Sequence, residues 1–372
     1  MDAAALDALL GSSAQEREES WRYSRNALRA LAQQAFAEAD PATSVSTDIR
    51  ARFAWPESGG RRLVFVNGGW SAELSDTHAL GDTVRLDVDA AHITLTIRGG
   101  TEHPVHLVHL GIAAGSSAQW QATCDIVVES GAATIFEHHL GAAGAEVLGA
   151  LVSRHCVAAD ATLSVATLSD LPDSISLYRR VRAVVRKHAQ YRTTHALFGG
   201  RFVRLDLDCE LADTAARTDS RGVFALRGRQ HTDVHLDVRH AARDTASDVL
   251  WRGVADQRAR GILHGAITVA EGADGADAQL QTKNLLLSAN AEIDAQPVLE
   301  IHADEVKASH GATVGQLDER ALFYLRSRGV PRAIARSLLI AGFCREAYQG
   351  EDASLAARLD ALLAERLPGA AA

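Results

Sequence analysis

The segment Asp233-Val234-His235-Leu236-Asp237-Val238-Arg239 places polar and apolar residues in strict alternation. Neighbouring side chains of a β-strand point to opposite faces, so this pattern predicts a strand with its two valines and its leucine facing inward. The two acids, His235 and Arg239 would then share the opposite face. A strand with one apolar face has to bury that face against another element, and the neighbouring sequence shows which kind of element this is.

Short alternating segments recur from about residue 82 to residue 306, separated by Gly, Ala, Asp and Asn. They include Val84–Val88, Ile93–Ile97, Asp125–Val128, Ala133–Phe136, Ala161–Ala166, Phe202–Leu207, Ile262–Val269 and Val298–His302. So many strands without long intervening helices exclude a doubly wound α/β sheet and leave a sandwich, a propeller or a β-solenoid. Frequent corners of small residues favour a parallel β-helix, in which each coil is buried by stacking on its neighbours, although no clean repeat consensus accompanies the pattern.

The flanking regions are predicted to be helical. At the N-terminus the apolar residues Trp21, Ala27, Leu28 and Leu31 approximate one face of a helix over 16–31. A short β element follows at Arg62–Val66 and ends in an Asn67-Gly68 turn. We therefore divide the chain into an N-terminal helical region with a short β element (1–81), a parallel β-helix core (82–312) and a C-terminal helical region (313–372).

Three helices are predicted in the C-terminal region. The first lies between Asp318 and a terminating Gly329, and the second opens at Val330-Pro331. Their apolar stripes are Leu317, Ala321, Leu322 and Leu325 in the first helix, Ile334, Leu338, Leu339 and Phe343 in the second, and Leu355, Leu359, Leu362 and Leu363 in the third. Such stripes either pack on the β body or dock a partner, and both possibilities stay open here.

Composition narrows the function. The 372 residues are 47% hydrophobic and 23% charged, as expected of a folded protein, and no run of 18 apolar residues predicts a membrane span. A net charge of −9 argues against binding to nucleic acid or anionic membranes. Acids rather than bases in Met1–Asp7 indicate a cytoplasmic protein. The four widely spaced cysteines form no C-x-x-C pair and are expected to be reduced and mostly buried.

Common catalytic signatures are missing from the sequence. It contains no G-x-x-x-x-G-K-[ST] loop, no G-x-G-x-x-G after a strand, no G-x-S-x-G elbow and no H-E-x-x-H. If the protein belongs to an ATP-driven machine, another subunit has to bind the nucleotide.

Histidine is unusually frequent, with 16 residues. In His103-Pro104-Val105-His106-Leu107-Val108-His109, strand geometry places His106 on the face opposite the other two, so this set is expected to be structural or solvent-facing. The adjacent His138 and His139 diverge in the same way. Glu300, His302 and Asp304 are expected to share a strand face, as the polar residues of 233–239 do. Either face could hold a divalent metal such as iron or simply be solvated.

One stretch carries a family resemblance. It comprises Gln281–Ser288, Ala291–Asp294, Pro297–Ile301, Asp304–Gly315, Leu317–Glu319 and Phe323–Gly329. This stretch closely resembles the SufB/SufD family of iron–sulfur cluster assembly proteins, and the SufD branch in particular. Leu63–Gly68 and Arg260–Gly265 also resemble segments of that family.

The resemblance implies a right-handed parallel β-helix flanked by helical ends, in agreement with the strand pattern. It also implies a non-catalytic scaffold that pairs with SufB through the β-helix, binds the SufC ATPase through its C-terminal helices and assists iron entry. No cofactor would be tightly bound to the isolated chain, and iron or an iron–sulfur cluster would be held transiently within the complex.

The resemblance implies residue roles as well. His310 matches the histidine of a Ser-His-Gly motif at the SufB interface and is a candidate ligand for iron or a cluster, or else closes the last coil. Ala308 stands where the family often has a cysteine, so a thiolate there would come from the partner. The SufC-docking segment matches Asp318–Tyr348, with Phe323, Tyr324, Leu325, Arg326, Arg328 and Ile334 as candidates.

Two alternatives remain at this point. The first is a homodimeric β-helix protein that holds iron or a cluster through histidines and carboxylates without SufB. The second is a carbohydrate-active β-helix enzyme, which would need an acid–base cluster and stacking aromatics on one face. An aromatic content of 5% and the N-terminal sequence count against the enzyme.

Overall fold

The structure is a computed structural model that describes residues 21–52, 61–76, 82–113, 115 and 117–366. It confirms the predicted parallel β-helix, with about eight turns and terminal helices. Strands alternate between two ten-stranded sheets, so each coil contributes one strand to each sheet. Equivalent positions of neighbouring coils are about 30 residues apart in the sequence. His139 and Ser169, for example, occupy equivalent positions of two adjacent coils and contact each other.

The described residues of the N-terminal part form two short helices, α1 and α2, and the first strands. In chain order these are α1 Arg25–Ala32, β1 Ala37–Glu38, α2 Thr47–Arg52, β2 Arg61–Val66, β3 Gly69–Trp70, β4 Val84–Asp89 and β5 His92–Ile97.

The strands β6 to β20 form the body of the solenoid. They are β6 Val105–Gly111, β7 Ala118–Val128, β8 Ala132–Gly141, β9 Val147–Val157, β10 Thr162–Leu171, β11 Ile175–Val185, β12 Gln190–Gly199, β13 Phe202–Leu211, β14 Arg217–Leu226, β15 His231–His240, β16 Ala246–Ala255, β17 Arg260–Val269, β18 Asp277–Leu286, β19 Glu292–Ile301 and β20 Lys307–Gly315. Three helices and a 3-10 turn follow: α3 Glu319–Ser327, α4 Arg332–Arg345, the 3-10 turn Glu346–Tyr348 and α5 Ala353–Arg366.

Sheet A consists of β1, β4 and the odd-numbered strands from β5 to β19, and sheet B consists of β2, β3 and the even-numbered strands from β6 to β20. Pairing is parallel throughout the body of the solenoid, as in the register of β15 with β17 from His231↔Arg260 to His240↔Val269. Alternate residues of both sheets point inward and form the main core. Val234, Leu236 and Val238 belong to this core, as their alternation predicted.

Coil corners explain why no repeat consensus is visible. A left-handed residue with positive φ turns the chain, and this residue is Gly131 in one coil but Asp160, His188, Ala215 or Asp244 in others. Asp and His tolerate this conformation better than most side chains, so several residue types occupy the corner. At the start of the solenoid, Asn67 and Gly68 have φ of 49° and 80°, which confirms the predicted turn between β2 and β3.

The N-terminal helix packs on the outside of sheet A. Helix α1 begins at Arg25, later than the predicted start, and residues 16–20 of the predicted helix lie outside the described residues. Trp21 is buried against Tyr178 and Phe202. The guanidinium of Arg204 lies 4.1 Å from the centre of the Trp21 ring.

The C-terminal helices largely follow their predicted signals. Asp318 caps α3 by accepting a hydrogen bond from the Arg320 amide at 2.8 Å, and Gly329 has φ of 86° after the helix. Helix α5 buries its predicted leucines against the outer face of sheet B. Helix α4 instead buries Ala335, Ile340 and Cys344, so part of its predicted stripe is exposed.

The thiols follow the prediction in three of four cases. Cys124, Cys209 and Cys344 are buried, and burial raises the pKa of each thiol to about 12, while Cys156 is exposed. Among the described residues, no helix has the length and apolar character needed to cross a membrane.

Candidate functional site

The last coil of the solenoid is open. Strands β19 and β20 end their sheets, so each has one neighbouring strand among those described. Strand β20 is exposed along nearly its whole length, and only Ala308, near its start, is half-buried. An edge strand exposes unpaired backbone N–H and C=O groups, which can pair with a strand of another chain.

The free edges of β19 and β20 differ in their outward-facing backbone N–H donors. In a parallel ladder, alternate residues bond to one side. The amides of Glu292 and His302 bond to the β17 side of β19, so odd-numbered residues face the free edge. One of these is Pro297, which has no N–H, so the β19 edge lacks one of the donors that a pairing strand would need. In β20 the Lys307 amide bonds inward, which leaves even-numbered residues facing outward, and none of these is a proline.

His310 lies on this open strand. It pairs in register with Leu280 of β18, a core residue, so its side chain is on the lumen side of the sheet. No coil covers it among the described residues, and it is exposed. Ala308, two residues earlier, is half-buried against the core in the same column. The imidazole therefore lies at the mouth of the β-helix.

Glu300 and His302 do not join His310. Strand β19 ends at Ile301, so the expectation that Glu300, His302 and Asp304 share one strand face was wrong for the last two residues, because the chain turns there. Glu300 lies beside Thr268 on the outer side of sheet A, while His310 belongs to sheet B. Within the described part of the chain, no three His, Cys, Asp or Glu side chains are arranged to hold a metal ion.

The predicted ATPase-docking residues lie on α3 and α4, two helices that contact each other, except for Arg328, which directly follows α3. Phe323 is 73% exposed and Tyr324 58% exposed, while Leu325 is half-buried. Arg328 lies over the Tyr324 ring at 5.3 Å from its centre, and Arg326 is exposed.

Helix α4 adds two apolar side chains to this surface, Ile334 at 44% and Leu338 at 54% exposure. Leu338 was not among the predicted docking residues, although its spacing of four from Ile334 was a signal that could have identified it. Exposed aromatic and aliphatic side chains on adjoining helices are typical of a protein–protein contact rather than of a chemical centre.

A buried polar cluster inside the β-helix was not predicted from the sequence. Glu137 lies in the lumen and pairs with Arg179 at 3.0 Å, with both side chains almost fully buried. His139 Nε2 lies 3.2 Å from Glu137, and its Nδ1 lies 2.8 Å from the Ser169 hydroxyl. His109 adds an imidazole 3.6 Å from the same carboxylate.

The strand faces of these histidines agree with the geometric prediction. His109 and His139 point into the lumen, while His106 and His138 lie on the opposite face, stacked with ring centres 6.0 Å apart. His103 precedes β6 and is exposed. Burial is the largest cause that lowers the pKa of His106 and His109 to about 3, and nearby positive charges lower it further, so both rings are neutral, as expected of structural residues.

The charges in the lumen are compensated locally. Burial would raise the pKa of Glu137, but the Arg179 charge and the His139 hydrogen bond outweigh it and hold the pKa well below its ordinary value. A compensated pair of this kind is stable only while both partners remain, since either charge alone would be buried without a partner.

Comparison with known proteins assigns the family. The family profile described as "SUF system FeS cluster assembly, SufBD core domain" matches residues 111–343. The chain is 29% identical to the iron-sulfur cluster assembly SufBD family protein slr0076 of Synechocystis, over 89% of this chain and 82% of that protein. It is 28% identical to the iron-sulfur cluster assembly protein SufD of Escherichia coli, over 83% and 80% respectively. Bacillus subtilis SufD is 36% identical over a shorter stretch, 34% of this chain and 29% of that protein.

The buried histidines predict a loss of stability in mild acid. His195 is fully buried on Trp251, neither of its ring nitrogens has a hydrogen-bond partner among the described residues, and burial lowers its pKa to about 3. Below the unfolded-state pKa of 6.5, the unfolded chain takes up a proton at this position that the native protein does not. From pH 7 to pH 5 this costs about 2 kcal/mol of unfolding free energy.

Between pH 7 and pH 5, the free energy of unfolding of His195→Phe should therefore fall by about 2 kcal/mol less than that of the unmodified protein, as measured by urea unfolding. His103→Phe is the control, because the His103 side chain is in solvent in both states. If the free energy of unfolding depended on pH equally in His195→Phe and in the unmodified protein, this would contradict the assignment of the acid-induced destabilisation to His195.

Proposed function

The chain belongs to the SufB/SufD family of SUF iron–sulfur cluster assembly proteins, in its SufD branch, and we propose that it is a non-catalytic scaffold subunit of that system. In this proposal it works in the cytoplasm, pairs with a SufB-like subunit through the open end of the β-helix and binds a SufC-like ATPase through its C-terminal helices. Iron and the nascent cluster are its transient cargo rather than resident cofactors.

The observation that carries the proposal is the contrast between the two free edges. A scaffold that pairs through its solenoid needs a strand whose outward N–H groups are intact, and β20 supplies them while Pro297 removes one from β19. Strand addition at β20 would extend sheet B across the two subunits. It would also bury the mouth of the lumen, which holds His310.

Docking of the ATPase is supported by the exposed apolar side chains of α3 and α4. Phe323 and Tyr324 carry most of the exposed aromatic area, with Leu325, Arg326, Arg328 and Ile334 around them. We add Leu338 to this surface because it lies one turn from Ile334 on α4. The buried face of α4 packs towards the body, so movement of the bound ATPase would act on the whole helical region.

His310 is our candidate ligand for iron or the cluster. An exposed imidazole at the mouth of the lumen can offer a nitrogen to iron or accept a proton during assembly. Since Ala308 replaces the cysteine that is frequent in the family, sulfur ligands would come from the SufB-like partner. Glu300 and His302 are assigned no role, because they lie on the other sheet and in the following turn.

The first test concerns the edge of β20. Ala312 faces outward with its backbone N–H, so Ala312→Pro removes one outward donor without removing a donor to β18. We expect binding to the SufB-like subunit to weaken at least tenfold, measured by calorimetric titration. Ala312→Val keeps the N–H and should bind as the unmodified protein does.

Unchanged binding of Ala312→Pro would refute pairing through β20. The chain alone is also a possible homodimer, and sedimentation would show this: a homodimer that Ala312→Pro dissociates uses the same edge. The heterodimer proposal would fail if the SufB-like subunit did not displace the second copy.

The second test concerns the helical surface. Phe323→Asp places a charge at its most exposed aromatic position and should weaken binding to the SufC-like ATPase at least tenfold, while Phe323→Leu should bind within threefold of the unmodified protein. These ratios correspond to roughly 1.4 kcal/mol or more and about 0.7 kcal/mol or less. Normal ATPase binding by Phe323→Asp would remove α3 from the interface.

The third test concerns His310. We expect His310→Ala to form the complex with SufB-like and SufC-like subunits normally but to hold severalfold less iron and sulfide per complex. His302→Ala is the matched control, since that imidazole lies eight positions away in the turn before β20. Full iron and sulfide content in His310→Ala would leave His310 a structural residue of the last coil.

A further inference from the structure

A cleft on the outside of sheet B brings together four arginines from three distant parts of the chain. It encloses about 390 Å³, near the lower end of the range typical of small-molecule sites. Helix α2 contributes its last residue, the turn after β14 contributes one arginine, and α5 contributes two. The residues lining the cleft are Arg52, Arg227, Arg358 and Arg366, with the acids Asp170 and Glu365.

Asp170 engages only two of these arginines. Its carboxylate, almost fully buried, accepts a hydrogen bond from Arg52 at 3.0 Å and another from Arg366. Arg52 also donates to the backbone carbonyls of Gly141 and Asp170, at 3.2 and 2.8 Å. These contacts fix the positions of Arg52 and Arg366 on the wall of the cleft.

The other two arginines lack a carboxylate partner in the part of the chain that the structure describes. Among the described residues, Arg227 and Arg358 form no ion pair, although both line the same cleft. The Nε atoms of Arg358 and Arg366 are buried and have no hydrogen-bond partner in the described part of the chain. A buried donor without an acceptor costs about 1–3 kcal/mol, so these N–H groups need an acceptor that the described residues do not supply.

The charge balance of the cleft points to an anion. Four guanidinium groups against two carboxylates leave an excess of two positive charges, in a chain whose net charge is −9. The positive potential reaches the residues behind the cleft. Burial and the neighbouring His106 lower the pKa of His138, and the charges of Arg358 and Arg52 lower it further.

We propose that this cleft binds a small oxyanion, a phosphoryl or carboxylate compound, whose oxygens accept the unused donors of Arg227 and Arg358. A guanidinium presents paired N–H groups that match two oxygens of either kind of anion. A bound anion would join α2, sheet B and α5, and so hold both terminal helical regions on the β-helix. This site does not depend on the scaffold role, because none of its residues lies on β20, α3 or α4.

The test uses the full-length protein in calorimetric titrations with pyrophosphate, inorganic phosphate and citrate, with sodium chloride at equal ionic strength as the reference. We expect saturable binding of one anion per chain. Arg358→Gln and Arg227→Gln should each weaken it at least tenfold. Arg229→Gln is the matched control, since Arg229 is an exposed arginine of the same turn that does not line the cleft.

Tighter binding of the phosphates would identify a phosphoryl ligand, and tighter binding of citrate a carboxylate ligand; either supports the site. Amide hydrogen exchange in α2 and α5 should slow when the anion binds, because both helices contribute arginines. The proposal is overturned if no anion binds more tightly than chloride, or if Arg227→Gln, a change at an exposed turn residue that leaves the fold intact, binds as the unmodified protein does.

Discussion

Parallel pairing of coil on coil is the constraint on which the rest of this structure depends. Each strand between the ends of a sheet has its backbone N–H and C=O groups satisfied on both sides and its inward side chains packed on the coils above and below. That arrangement cannot close on itself, so it leaves two ends. At the first end, β3 pairs antiparallel with β2 and β4 pairs antiparallel with β5, so these two strands cover the first parallel strands of the two sheets. The last, at β19 and β20, is where a protein of this architecture can join another.

Charged side chains in the lumen pair with partners from other strands of the solenoid. Glu137 and Arg179 come from different sheets and neutralise each other in a water-excluded interior, with His139 and Ser169 completing the hydrogen bonds. Such a pair adds little net stability compared with apolar packing, but it penalises any shift of one coil against the next, because a shift would separate buried charges. The pair therefore specifies the register of the middle coils.

Arginines attach the terminal regions to the outer faces of the sheets. On sheet A, Arg204 is held by Asp233 at 2.8 Å and covered by Trp21, and Ser24 donates a hydrogen bond to the same carboxylate. On sheet B, Asp170 joins arginines from the N-terminal and C-terminal helices. The solenoid thus has a free strand edge at β20, while the C-terminal helices carry a separate apolar surface.

The sequence by itself determined the strand faces, the Asn67-Gly68 turn and the Asp318 cap of the C-terminal helices, because these features act over a few neighbouring residues, and its small-residue corners favoured a β-helix over a sandwich or a propeller. Tertiary structure alone decided the contacts between distant residues. The pairing of Glu137 with Arg179, the convergence of four arginines near Asp170 and the end of β19 before His302 depend on which coil stacks on which. No local pattern encodes that stacking, since the corners that set each coil's length use several different residue types.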